Sequence, residues 1–301
     1  MRYLVISGVL WGTGGLTGSL LRRATGLSPV AVAAYRLAAG GALILILLLL
    51  AGRRLPRGRA AWHRIGVIGG LAALFQASYF AAVALTSVSL ATLITIGASP
   101  VLVLVAERLT GRRRADRWML GTVGLALGGL VLLVGLPSGT ARPAAVLGTA
   151  GFALLAAAGF ATVTLVGGRP VPGLDDLTTV GLGFVLGGVV LLGLAGTTAG
   201  LEFHPALAPL GLVAALAIGP TALAYSCYFR GLRSAPASTA AVVALLEPLT
   251  GAVLAAVVLG DRLGPAGLAG AGLLGGAVLL AALGRRPGGP VALASGRARS
   301  T

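Results

Sequence analysis

Residues 29–51 read PVAVAAYRLAAGGALILILLLLA, and this run decides the fold. It holds one charged residue, Arg36, among its 23 positions. At 1.5 Å per residue a helix of that length reaches about 35 Å, enough to cross a hydrocarbon core of roughly 30 Å. Hydrocarbon offers the backbone no hydrogen-bond partners, so an isolated run must satisfy its own N–H and C=O groups as a helix. Nine further runs of similar make-up complete the chain, at 3–21, 65–85, 88–107, 118–136, 145–166, 177–197, 207–229, 236–259 and 265–284. Helix breakers separate them: Ser28-Pro29, Leu55-Pro56, Leu136-Pro137, Pro170 with Pro172, Pro205, Pro236 and Pro265. The fold class is all-α integral membrane, with ten transmembrane helices.

Composition supports the same class. Only 10% of the 301 residues are charged and 57% are hydrophobic, where a soluble domain carries about 25% charged residues. The 49 glycines fall inside apolar runs, where small residues let membrane helices approach closely. The net charge of +16 comes from 23 basic residues, all of them arginine. These cluster between apolar runs, at Arg53, Arg54, Arg57, Arg59 and Arg64, then at Arg108, Arg112, Arg113, Arg114 and Arg117. Such clusters fit loops beside anionic lipid and not a nucleic-acid surface interleaved with aromatics. The single cysteine, Cys227, can form neither an internal disulfide nor a thiolate metal site. The first run ends at Leu21-Arg22-Arg23 without a small-residue cleavage pattern, so it reads as a spanning helix and not a signal peptide.

Arginine also gives an orientation. With the N-terminus inside, the inner segments collect 18 arginines and the outer loops four, Arg22, Arg23, Arg142 and Arg262. The positive-inside rule then places both termini in the cytoplasm, with the chain in the cell membrane. An internal repeat runs at an offset near 147 residues. Gly40-Gly41 matches Gly187-Gly188, and Leu127-Gly128-Gly129 matches Leu274-Gly275-Gly276. Ala98-Ser99-Pro100 aligns with Leu246-Glu247-Pro248 after a one-residue slip. Because each unit holds five helices, an odd number, the two copies sit in opposite orientations as inverted repeats around a central cavity. The expected units are 1–136 and 137–286, followed by a disordered cytoplasmic tail at 287–301. Inverted repeats with a site near the midplane point to a secondary transporter.

On these residues the chain resembles the drug/metabolite transporter superfamily, specifically proteins with two EamA domains. Trp11-Gly12-Thr13 is similar to that family's aromatic-glycine-small motif, and Pro29 with Arg36 to its Pro-to-Arg signature. Ser99-Pro100 and Glu247-Pro248 resemble its motifs on the fourth and ninth helices. Leu259-Gly260-Asp261-Arg262-Leu263 resembles its Leu-Gly-Glu-x-Leu stop, with Asp in place of Glu. In the first copy Glu107-Arg108-Leu109 follows Pro100 by only seven residues, and the second copy has no counterpart of Arg36. The resemblance implies a ten-helix permease exporting small metabolites by alternating access.

The candidate site residues follow from polarity inside apolar runs. Glu247 stands about eleven residues past Pro236, near the bilayer midplane. A charge there costs a few kcal/mol and needs a reason, either proton carriage or binding of a substrate amine. Pro248 lacks a backbone donor and clashes one turn back, and Pro100 stands likewise in the first repeat, so both are read as helix breaks. Arg36 suits a substrate carboxylate, an acid on another helix, or snorkelling to the headgroups. Gln76 and Tyr79 on the third run, Thr92, Thr95 and Ser99 on the fourth, and Tyr225 and Tyr228 on the eighth are the polar lining. Trp11 is placed to stack on an aromatic or cationic substrate. A structural use, hydrogen bonding between helices, competes for each of these. The cavity is expected to be lined mainly by helices 1, 3, 4, 6, 8 and 9. Glycine pairs at i and i+4 (Gly8/Gly12, Gly14/Gly18, Gly66/Gly70, Gly124/Gly128, Gly183/Gly187 and Gly272/Gly276) read as packing seams.

Competing functions are weaker. His63 and His204 are expected in loops on opposite sides, and no HExxH, GxSxG or Walker A pattern occurs, so neither an enzyme, a metal site nor an ATP-driven pump is read. A channel lacks a filter sequence. No cofactor is expected. The expected partners are a small-molecule substrate (amino acids, amines or drug-like compounds) and the lipid bilayer, with a homodimer as a further option and no nucleic acid.

Overall fold

A computed structural model describes residues 1–111, 117–135, 142–260 and 263–284. The expected tail at 287–301, the Leu136-Pro137 breaker and Asp261-Arg262 lie outside the described residues. Among the described residues ten helices are long and apolar enough to cross a membrane: α1 Arg2–Thr25, α2 Pro29–Leu50, α3 Arg59–Leu85, α4 Val88–Leu109, α5 Arg117–Val134, α6 Pro143–Gly167, α7 Asp176–Thr198, α8 Leu207–Leu232, α9 Ala237–Val258 and α10 Pro265–Leu283. Helix starts follow local chemistry. The Ser28 hydroxyl accepts the Ala31 N–H at 3.2 Å ahead of Pro29, and Ser87 accepts the Leu90 N–H at 3.2 Å. Asp175 accepts both the N–H and the hydroxyl of Thr178, at 2.9 and 2.8 Å. Gly26, with φ of 75°, ends α1 in the left-handed conformation.

The packing obeys the inverted symmetry. Helix α1 packs on α8 and α9, as its counterpart α6 packs on α3 and α4. Helix α2 packs on α8 as α7 packs on α3, while the pairs α2–α7 and α5–α10 relate to themselves. The α2–α7 seam shows why the repeated glycine pairs are needed. A Cβ on Gly41 would lie 2.5 Å from the Val185 nitrogen, and one on Gly188 would lie 2.6 Å from the Ala38 Cα. No side chain fits there. The expected seams at Gly66/Gly70 and Gly124/Gly128 are not seams, because neither pair meets anything within 4 Å, and Gly272 is equally open. These glycines point away from neighbouring helices.

Two further departures from the sequence reading appear along the helices. Helix α3 starts at Arg59, so His63 lies on a helix, while His204 stays in a loop. The extension is held by Arg64, whose guanidinium donates to the carbonyls of Val166 at 2.6 Å and Arg169 at 3.0 Å, capping the end of α6. Pro100 does not break α4, which runs on from Val88 to Leu109. Pro248 is different: α9 is split into Ala237–Val243 and Leu246–Leu254. At the break the N–H groups of Leu245 and Glu247 reach carbonyls only three residues back, Val242 at 3.1 Å and Ala244 at 3.0 Å. Proline's clash with the carbonyl four residues back, here Ala244, gives this tightened turn.

Candidate substrate cavity

The split in α9 opens onto a cavity of about 310 Å³. Its mouth lies at the end of the bundle where α1 passes to α2, marked by Ser19, Arg22 and Pro29. Its floor is aromatic. The Trp11 ring meets Tyr225 at 4.9 Å, Tyr228 at 4.8 Å and Phe160 at 5.8 Å. Behind them Phe184 packs edge-on against Tyr225 at 4.6 Å. The walls come from α1, α3, α4, α6, α8 and α9, and also from α2 through Val32, Ala33 and Arg36. The six expected helices all contribute, and α2 adds a further wall.

Two opposite charges face this space. Glu247 on α9 and Arg36 on α2 both line the cavity and both are half-buried. Each lies in the field of the other, yet they are not an ion pair. Among the described residues the salt bridge within 4.0 Å is Arg233–Asp176, with the Arg233 Nε 2.9 Å from the carboxylate. Helix α1 brings the two charges near each other through its glycines. A Cβ on Gly12 would collide with Thr250 and lie 2.8 Å from the Glu247 carbonyl oxygen, so α9 rests directly on α1 there. On the next face, a Cβ on Gly14 would lie 3.2 Å from Pro220 and 3.5 Å from the Arg36 guanidinium. The Trp11-Gly12-Thr13-Gly14 segment thus supplies a ring to the floor and a bare backbone to both flanks.

The other sequence-derived candidates divide by what their polar atoms already touch. The Tyr79 hydroxyl shares a 2.8 Å hydrogen bond with Thr92. Thr95 donates to the Ala153 carbonyl on α6 at 3.2 Å, and Ser99 to the Thr95 carbonyl at 2.7 Å. All four line the cavity, and each hydroxyl already makes a hydrogen bond within the scaffold. Gln76 lines it with a buried amide nitrogen that has no acceptor among the described residues, as does Trp11 with its indole nitrogen. Tyr225 lines it with its hydroxyl against Arg36. Tyr228 is not part of the lining: it lies beneath Trp11, 1% exposed, bonded to Thr164 at 2.7 Å. Pro100 and Pro248 also stand outside the lining. Sequence reasoning missed Phe75, Phe80 and Phe160, which give the cavity much of its apolar wall. An aromatic within an apolar run carries no signal for its facing direction.

A ten-helix bundle of two inverted repeats, enclosing a one-sided cavity at a broken helix, is the architecture of a membrane carrier. Comparison with known proteins makes this specific. The chain belongs to the EamA-like transporter family, which it matches at residues 1–135 and 148–283. It is 30% identical over 277 residues to the protein called "Uncharacterized transporter YwfM" of Bacillus subtilis (strain 168), covering 90% of each chain. It is 34% identical over 276 residues to "Uncharacterized protein PA1977" of Pseudomonas aeruginosa, covering 88% of this chain and 89% of that one. One solved crystal structure shares the fold at a TM-score of 0.77 and 21% identity, over 93% of this chain and 95% of the other.

Proposed function

We propose that this protein is a secondary transporter of the cell membrane that exports small amphipathic zwitterions, amino acids above all, by alternating access. Arginine bias supports cytoplasmic termini, which turns the cavity mouth between α1 and α2 to the outside. The five-helix units 1–136 and 137–286 rock about the cavity. The observation that carries the substrate reading is that Arg36 and Glu247 face one small cavity with aromatic walls and no salt bridge joins them. A substrate carboxylate at Arg36 and an ammonium at Glu247 would each meet a complementary charge. Glu247 is also the group placed to exchange a proton for the cargo, since an isolated carboxylate inside a membrane is neutralised by a partner or a proton.

The test is uptake into proteoliposomes of a labelled amino acid, its matched amine and its matched carboxylate, with and without an inward-acid pH gradient. Wild type should saturate, counter-exchange, and prefer the amino acid to both truncated analogues. Losing one charge-assisted contact of about 1.5–3 kcal/mol should raise KM roughly 10- to 150-fold in Arg36→Gln. Glu247→Gln should lose the response to the gradient. Equal transport of all three compounds, unchanged in both variants, would remove the zwitterion reading. Uptake without saturation or counter-exchange would instead favour a channel.

A further inference from the structure

The transport cycle needs a device that holds one end of the cavity shut while the other is open, and the closed end contains a buried acid with no place in substrate binding. Glu107 stands in the last turn of α4 and is 6% exposed. One of its carboxylate oxygens accepts the N–H of Ala237, the first residue of α9, at 3.1 Å. The other oxygen is buried with no hydrogen-bond partner among the described residues. An acid at a helix N-terminus satisfies an orphan donor and meets the positive end of the helix dipole. Here the acid comes from the opposite repeat, 130 positions away in the chain.

The contact sits where α4 and α9 close on each other. At that end Val103 packs with Ala161 and Ala241, and Leu104 with Val242 and Leu245. Residues Ser238 to Val243 of α9 are all buried. At the other end the two helices part. On α4, Val88, Thr92, Thr95, Ile96 and Ser99 line the open cavity. On α9, no residue of Leu246–Leu254 is buried. The two helices therefore form a pair of blades, shut at the Glu107 end and spread at the Val88 end.

We infer that Glu107 is the latch of the outward-open state, a positioning residue that sets the balance between the two states without touching substrate. The inference rests on the alternating-access reading above. In a carrier with inverted repeats, opening the closed end requires the blades to part there. Parting breaks the Glu107–Ala237 hydrogen bond and hands both groups to water. A charge-assisted hydrogen bond in a buried site makes the closed arrangement more populated by a factor of roughly 10 to 150.

The test measures both ends of the blades by pulsed electron spin resonance in a Cys227→Ala background. One spin-label pair goes at the closed end, Leu109→Cys with Ser234→Cys, and the other at the open end, Val88→Cys with Val257→Cys. With Glu107 present, the closed-end distance should be predominantly short and the open-end distance long, with a minor population reversed at both. Glu107→Ala should raise the ratio of reversed to original states about 10- to 150-fold, lengthening one distance and shortening the other. Glu107→Gln keeps an acceptor of the same shape and should fall between the two. A residue that merely supports folding would broaden both distances without exchanging them, and that result overturns the latch. Reciprocal populations that Glu107→Ala leaves unchanged also overturn it while leaving alternating access in place. Absence of any reciprocal population overturns alternating access itself, and the latch with it.

Discussion

Two glycines three positions apart on α1 make a matched experiment. Gly12 supports α9: an added Cβ would collide with Thr250 and lie 2.8 Å from the Glu247 carbonyl oxygen, whereas an added Cβ on Gly15 meets nothing within 4 Å. Ordinary carbon–oxygen contact needs more than 3 Å, so Gly12→Ala forces α1 and α9 apart by several tenths of an ångström or more. Overpacking a close-packed site costs about 1–3 kcal/mol. Alanine recovers roughly 1 kcal/mol through helix propensity at either position. Gly12→Ala should therefore lose about 0–2 kcal/mol, and Gly15→Ala should be neutral or gain up to about 1 kcal/mol. The assay is thermal unfolding of the purified protein in one detergent, where a difference between the variants of a few degrees is expected. Because the displaced segment carries Glu247, Gly12→Ala should also raise KM in proteoliposomes. Equal melting temperatures in the two variants, with a wild-type KM in Gly12→Ala, would refute the claim that bare backbone at Gly12 seats the broken helix.

Other outcomes follow from single contacts. Arg64→Gln should destabilise the protein by about 1–3 kcal/mol, since it strips the cap from the Val166 and Arg169 carbonyls; thermal unfolding reads this. Asp175→Ala should cost about 0.5–2 kcal/mol in the same assay, because Thr178 loses its cap at the start of α7. Tyr228→Phe should cost about 1 kcal/mol of stability through the lost Thr164 bond. Its KM should stay near wild type, because Tyr228 lies under the cavity floor and not in its lining; a large KM change would place it in the site.

Helix number, approximate boundaries and the two repeats were legible in the sequence because the bilayer makes each span a local problem. A segment in hydrocarbon must satisfy its own backbone, so apolar length alone locates it. The same locality exposed Glu247 and Arg36, which stand out because charge is costly inside such segments. Facing direction was not legible. In lipid the outer face of a helix is as apolar as its packed face, so no stripe separates Phe160, which lines the cavity, from Phe152, which is exposed. Only the packed bundle could show that Gly12 meets α9 while Gly66 meets nothing. The packed bundle also decided that Pro248 goes with a split helix where Pro100 does not, that Tyr228 lies beneath the floor, and that Glu107 caps a helix 130 positions away. Each of these depends on which neighbour fills the adjacent space, and a chain fixes its neighbours only when all ten helices have come together.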